Sequence, residues 1–223
     1  MFDLSGGIGI HAGLPIARAG AAMEQATGAL VLVHGRGADA GGMLDLGRTL
    51  ATANIACLAP QAAGHVWYPR RFIEPVANNE PDLPSALSVL DDLVARLGAR
   101  FTAARVGLLG FSQGACLSLE FARRHGQPLA GVIGFSGGLI GEAANLAHMG
   151  GNKTLADMPV LLGCSENDPH IPAGRVRETQ AVFDAMGATV TTLLYPGNTH
   201  TVTTAEIRMA RGLLAARLGP PAQ

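Results

Sequence analysis

Gly110-Phe111-Ser112-Gln113-Gly114 is the stretch on which the reading of this chain turns. The largely apolar run Arg105 to Gly110 precedes it, with Val106, Leu108 and Leu109 as strand formers. Ala115, Cys116, Leu117, Leu119, Phe121 and Ala122 follow as the apolar face of a helix. A strand that turns directly into a helix holds the residue at the bend in a strained backbone conformation. The positions two before and two after that residue must then lack a side chain, or they collide. Gly110 and Gly114 fill those two positions and Ser112 sits at the bend. In a chain with 30 glycines the five-residue pattern is weak by itself. Its setting between a buried strand and a buried helix favours an elbow over a flexible Gly/Ser turn.

Outward from the elbow, short apolar runs alternate with helical stretches. Strands are predicted at Ala29 to His34, Ile55 to Ala59, Arg105 to Gly110, Ala130 to Phe135, Pro159 to Gly163 and Thr189 to Tyr195, with a weaker edge strand near Ile8 to Ile16. Leu87, Leu90, Val94 and Leu97 recur at helical spacing, with Asp82 and Pro84 as start signals and Gly98 as the stop. Val176, Phe183 and Met186 mark a second helix closed by Gly187. Thr203-x-x-Glu206 reads as a capping box opening a last helix along Ile207, Ala210 and Leu214. This alternation predicts an α/β fold with a mainly parallel central sheet covered by helices on both faces, and residues 1–223 are read as one domain. Gln61 to Pro81, Gly137 to Met158 and Ser165 to Pro172 follow strand carboxyl ends and are the predicted substrate walls.

Bulk properties narrow the function. The net charge is −1 with no lysine or arginine block, so nothing marks a nucleic-acid or anionic-membrane footprint, and a small molecule is the expected partner. Hydrophobic residues make up 48% and charged residues only 15%, a lean surface compatible with a homodimer. No apolar run approaches the ~18 residues of a membrane span. Met1 to Gly7 carries no export signal, so a cytoplasmic location is expected, and Cys57, Cys116 and Cys164 read as buried free thiols.

A serine hydroxyl needs a positioned base to become nucleophilic, and that base needs a carboxylate to orient it. Two segments after predicted strands supply them: Ser165-Glu166-Asn167-Asp168-Pro169 and Tyr195-Pro196-Gly197-Asn198-Thr199-His200. Both Glu166 and Asp168 are candidates for the acid. Asp168 is favoured because Pro169 and Pro172 stiffen its turn. An oxyanion hole requires two backbone N–H groups; Gln113, just after Ser112, offers one, and the glycine-rich turn Val33-His34-Gly35-Arg36-Gly37 offers the other.

Taken together, Leu32-Val33-His34-Gly35-Arg36-Gly37-Ala38-Asp39, Gly110 to Ala115, Asp168-Pro169-His170-Ile171-Pro172 and Tyr195-Pro196-Gly197-x-x-His200 resemble the phospholipase/carboxylesterase family, which includes the acyl-protein thioesterases. The similarity runs from about Ala29 to the C-terminus. It implies an α/β-hydrolase fold without a separate cap domain, Ser112 as nucleophile, Asp168 as acid, His200 as base, the amides of Arg36 and Gln113 as oxyanion donors, and no cofactor. The expected reaction is hydrolysis of an ester or thioester through an acyl-enzyme. At Trp67-Tyr68-Pro69 the chain departs from the Trp-Phe-Asp-like sequence usual in the thioesterase branch.

Trp67 and Tyr68 are the candidate substrate contacts, with packing beneath a long loop as the competing role. His65 and His170 lie near the expected mouth but lack partners at metal-ligand spacing, so no metal site is predicted. Arg70 and Arg71 are either solvated or contacts for a substrate carboxylate or phosphate. Gly107-x-x-Gly110-x-x-x-Gly114 does not match a dinucleotide fingerprint, and Gly150-Gly151-Asn152-Lys153-Thr154 lacks the adjacent Gly-Lys of a phosphate loop. The alternative to an enzyme is a non-catalytic ligand-binding protein on the same fold.

Overall fold

The computed structural model describes residues 6–51, 53–146 and 154–219. The first five residues of the segment read for export, and positions 150–153 of the glycine-lysine stretch, lie outside them. Seven strands form one sheet: β1 (Ile16–Gly20), β2 (Gly28–Val33), β3 (Ile55–Pro60), β4 (Val106–Phe111), β5 (Gly131–Phe135), β6 (Pro159–Ser165) and β7 (Thr189–Tyr195). Their spatial order is β1-β3-β2-β4-β5-β6-β7, with β1 antiparallel to β3 and every other pair parallel.

The helices are α1 (Ala40–Leu50), α2 (Asp82–Phe101), α3 (Gln113–His125), α4 (Ala143–Leu146), α5 (Ala173–Ala185) and α6 (Thr204–Leu218). Strand side chains alternate between two cores. Ala29, Val31 and Val33 of β2 join Leu90, Leu117 and Phe183 from α2, α3 and α5 on one face. Leu30 and Leu32 of the same strand join Leu44 and Leu214 from α1 and α6 on the other. A strand buried on both sides reads as the unbroken apolar run that β2 and β4 show, and helices on both faces are what make such a run soluble in the fold.

Two sequence expectations shift. The edge strand is Ile16–Gly20 rather than Ile8 to Ile16, because residues 6–13 instead lie along α2. There the Ile8 amide donates to Ser88 Oγ at 2.9 Å, and the positive φ of Gly7 and Gly9 lets their backbone approach Val89 and Ser85 where a Cβ would collide. Gly98 does not stop α2. The helix runs to Phe101 and is terminated by Thr102 at φ 72°, since at Gly98 the space beside the helix is open and the apolar stripe continues through Leu97 to Phe101. The capping box is present as read, with Thr203 Oγ1 accepting the Glu206 amide and the Glu206 carboxylate accepting the Thr203 amide at 2.6 Å.

Register carries all of this to one edge. Val33, Gly110, Gly134, Leu162 and Thr192 stand at the same level across β2, β4, β5, β6 and β7, and since these strands run parallel, β2, β4, β6 and β7 release their following loops on the same rim. The loops after β2, β4, β6 and β7 are the ones that bear Arg36, Ser112, Asp168 and His200.

Candidate active site

Ser112 is the single residue between β4 and α3, at φ 55° and ψ −120°. That conformation is costly for a residue with a Cβ and persists because its surroundings fix it. Its amide donates to Phe135 O at 2.9 Å, and its carbonyl accepts the Cys116 amide at 3.0 Å. A side chain on Gly110 would strike the Gly114 backbone, and one on Gly114 would strike the carbonyls of Val33 and His34. The two glycines therefore do different things: Gly110 permits the bend, and Gly114 lets the start of α3 press against the end of β2.

The acid and base loops are joined before they reach Ser112. Beyond β6 and β7 the Glu166 amide donates to Tyr195 O and the Asn167 amide to Gly197 O, while Ser165 Oγ donates to Thr199 O at 2.9 Å. Asp168 Oδ1 accepts the amides of His170 (2.8 Å) and Ile171 (3.0 Å), which leaves Oδ2 for His200 Nδ1 at 2.8 Å. His200 Nε2 then lies 2.9 Å from Ser112 Oγ. Burial alone would raise the Asp168 carboxyl, but the bonds from His200 and the two amides outweigh it and hold Asp168 below the usual carboxylate range. An ionised Asp168 fixes the proton of His200 on Nδ1 and leaves Nε2 as the acceptor facing the serine. Glu166, the other sequence candidate for the acid, is exposed to solvent and does not meet His200.

The rings of Phe111 and His170 flank His200, with centroids at 4.9 and 4.8 Å, the second edge-on. Among the described residues neither the Arg36 amide nor the Gln113 amide donates to another protein group. Gln113 opens α3, where a helix leaves its first amides unspent. Gly35 lies against Phe111 and Ser112, which brings the loop carrying Arg36 beside the elbow.

These groups open onto a cavity of about 820 Å³, within the range of small-molecule sites. Its walls come from the loop after β3 (Tyr68 to Phe72, and Glu74), the turn at Pro169 to Ile171, and the elbow. The expected third wall, Gly137 to Met158, contributes none of the described lining: Leu139 turns inward, its amide on Thr179 Oγ1 and its carbonyl on Arg175.

Of the two aromatic candidates, Tyr68 lines the cavity and Trp67 does not. Trp67 is fully buried in the core, its Nε1 donating to His34 O at 2.8 Å and its ring 4.9 Å from that of His34. An indole N–H needs a partner when buried, and the carbonyl at the end of β2 supplies it. His65 Nδ1 donates to Ala38 O and the residue is not part of the lining, whereas His170 is. No group of three His, Cys, Asp or Glu side chains placed to hold a metal occurs among the described residues.

Sequence reasoning did not reveal what holds the Trp67-Tyr68 loop. The Gln113 side chain does so from the elbow, with Oε1 accepting the Trp67 amide at 3.0 Å and Nε2 donating to Tyr68 O at 2.8 Å. The Arg36 guanidinium donates to the carbonyls of Tyr68 (2.7 Å) and Arg70 (3.1 Å), which settles its otherwise open side-chain role. Two buried histidines complete the fastening. His11 accepts the Ala63 amide and donates to Trp67 O, and His34 accepts the Ala62 amide and donates to Gly35 O.

Both imidazoles are held below their ordinary value, chiefly because burial penalises the charged form and only in part offset by their backbone acceptors. A depressed histidine stabilises the fold above its unfolded value of ~6.5, and that stability is lost as pH falls, because the unfolded chain takes up the proton first. Accordingly, His34→Gln should lower the melting temperature at pH 7.5 and lose part of that deficit by pH 5. A deficit that stays constant or widens over that interval would contradict a neutral His34.

A sheet of this topology, with a strained serine after its central strand and an aspartate and histidine on the following rim loops, defines an α/β hydrolase. The phospholipase/carboxylesterase family model matches residues 15–217, and the chain belongs to that family. It is 35% identical to a phospholipase/carboxylesterase from Dyadobacter fermentans, covering 93% of this chain and 99% of the other with a TM-score of 0.86. The esterase PE8 has the same fold at 24% identity and a TM-score of 0.75, over 91% of this chain and 98% of that one. Among curated relatives, acyl-protein thioesterase 1 of Gibberella zeae is 29% identical over 126 residues, 52% of this chain and 49% of that protein. An uncharacterized hydrolase of Mycosarcoma maydis is 31% identical over 130 residues, 50% of this chain and 49% of that protein. The alignment thus spans about half the length of these two curated relatives.

Proposed function

We propose that the protein is a serine carboxylic-ester hydrolase that works through an acyl-enzyme, with Ser112 as nucleophile, His200 as general base and acid, and Asp168 as the orienting carboxylate. The observation that carries this reading is the unbroken hydrogen-bonded line Ser112 Oγ to His200 Nε2 and His200 Nδ1 to Asp168 Oδ2, at 2.9 and 2.8 Å, opening onto the 820 Å³ cavity.

His200 takes the Ser112 proton as Oγ bonds to the carbonyl carbon, and the carbonyl oxygen becomes an oxyanion accepting from the Arg36 and Gln113 amides. Collapse breaks the bond to the alcohol or thiol, which leaves with the proton from His200. Water then attacks the acyl-serine as His200 takes its proton, and collapse breaks the bond to Ser112 Oγ, which recovers that proton from His200 as the acid is released. Each amide donor is worth ~2.7–4 kcal/mol of transition-state stabilisation in comparable enzymes. Tyr68, Phe72 and Ile171 give the cavity its apolar wall and are proposed to flank the acyl or alcohol group.

No helix among the described residues is long and apolar enough to cross a membrane. Cys57, Cys116 and Cys164 are buried and unpaired, in keeping with a reducing compartment, and the cytoplasm is the proposed location.

A panel of esters and thioesters graded by acyl length tests the proposal. Turnover is expected for short and medium acyl groups, with kcat/KM falling once the chain outgrows the cavity. Failure to hydrolyse every member would leave a ligand-binding protein as the better description.

A further inference from the structure

The cavity beside Ser112 is cationic in a chain whose net charge is −1. Its ionisable lining consists of Arg36, Arg70, Arg71, Glu74, His170 and His200. Cys116 and Tyr68 also reach it, but burial pushes both upward, so they remain neutral. Asp168 lies behind His200 with both oxygens engaged.

The three guanidinium groups are not equivalent. Arg36 is occupied by the carbonyls of Tyr68 and Arg70. Arg70 and Arg71 are exposed and form no ion pair among the described residues. Glu74, the anion nearest in sequence, spends its carboxylate on the Arg71 backbone amide (3.3 Å) and on Asn78 Nδ2 (3.4 Å), not on a guanidinium.

The backbone beneath these two arginines is built rather than loose. Asn79, fully buried, accepts the Arg70 amide at 2.8 Å and donates to Arg71 O at 3.4 Å, and Arg36 holds Arg70 O from the opposite side. Arg70 and Arg71, consecutive in the chain and both lining the cavity, therefore rise from a fixed backbone beside the candidate active site. A planar guanidinium binds a carboxylate or phosphate with two parallel N–H bonds, and a fixed base lowers the ordering cost of doing so.

We propose that Arg70 and Arg71 form a recognition site for an oxyanion, a carboxylate or a phosphate, borne by the ester away from its reacting carbonyl, so that the enzyme selects anionic esters over neutral ones of the same length. This rests on the hydrolase reading above. Because both groups face solvent, the selection is a several-fold effect weakened by salt.

The test compares three para-nitrophenyl esters of matched length: the hexanoate, the mono-adipate and the ω-phosphonopentanoate. A second pair, para-acetoxybenzoate and para-acetoxybenzamide, puts the charge on the alcohol side. The readout is the ratio of kcat/KM for charged over neutral ester, in which intrinsic reactivity and any general loss cancel between variants. In R70Q/R71Q that ratio is expected to fall about 3- to 10-fold in at least one pair, with the adipate and phosphonate arms identifying which oxyanion is preferred. Glu74→Gln should raise it. A ratio unchanged by R70Q/R71Q in both pairs overturns the proposal while leaving the hydrolase reading intact. Should no ester be turned over, titration of adipate and inorganic phosphate into the Ser112→Ala protein still decides. Binding that disappears when R70Q/R71Q is added supports the oxyanion site, and binding that is absent or persists overturns it.

Discussion

Ser112→Ala is expected to lower kcat/KM by roughly 10⁴- to 10⁶-fold for whatever ester the protein accepts, the scale of nucleophile loss in other serine hydrolases. It should also abolish labelling by a fluorophosphonate. The fold should survive, because the substitution deletes one oxygen whose hydrogen-bond partner is His200 and leaves the backbone bonds from Ser112 N to Phe135 O and from Cys116 N to Ser112 O in place. Alanine tolerates φ 55° no better than serine does, so the bend remains as strained as before and its support by Gly110 and Gly114 is unchanged. A small residual rate is expected, since the Arg36 and Gln113 amides can still polarise a bound carbonyl toward water. Covalent labelling that persists at another residue, or a rate within tenfold of the parent, would move the nucleophile away from β4.

The elbow was legible because its requirements are local. Gly110, Ser112 and Gly114 must occupy fixed positions in the chain, and the buried runs on either side follow from strand and helix periodicity. The parallel sheet was legible for a related reason: β2 to β7 are each buried or half-buried runs separated by helical stripes, and their boundaries lie within two residues of those expected. What the sequence did not disclose depends on long-range pairing. His11 lies 56 positions from Trp67, and His34 lies 28 from Ala62, yet His11 finds a donor and an acceptor in the loop after β3, and His34 accepts from that loop while donating to Gly35 O. No periodicity marks such a residue, since a neutral buried histidine looks the same in sequence as a solvated one. The same limit explains Trp67 and Tyr68. Both rings are buried in the same core cluster while Tyr68 also reaches the cavity, and the loop backbone that places them is held by Gln113 and Arg36. Residues 6–13 misled for a different reason: Ile8 and Ile10 suggested a strand, but they are exposed on a glycine-rich loop whose contacts with α2 are made by backbone.

Asp168→Asn should reduce kcat/KM by about 10⁴-fold near neutral pH, whereas Glu166→Gln should change it by less than about twofold. The asymmetry comes from hydrogen-bond polarity. Asp168 is acceptor-only: Oδ1 takes the amides of His170 and Ile171, and Oδ2 takes His200 Nδ1–H. An asparagine can satisfy the two amides only by turning its carbonyl oxygen toward them, which aims its NH₂ at His200. Nδ1 must then become the acceptor, the proton moves to Nε2, and the nitrogen facing Ser112 Oγ at 2.9 Å is a donor that cannot remove the serine proton. The opposite flip restores the imidazole but sets the NH₂ against two amide N–H groups, a donor-to-donor conflict in a buried site. The first arrangement loses the base and the second sets buried donors against each other, so the productive tautomer is disfavoured while the residues stay in place. Among the described residues Glu166 is tied to the same loop through its backbone amide, which donates to Tyr195 O, and its exposed carboxylate takes no part, so removing its charge leaves the geometry untouched. Steady-state rates for the two variants, with thermal melting to verify folding, decide the matter. A larger loss for Glu166→Gln than for Asp168→Asn would exchange the two carboxylates, and an Asp168→Asn enzyme with undiminished turnover would mean that the base at His200 needs no orienting carboxylate at all.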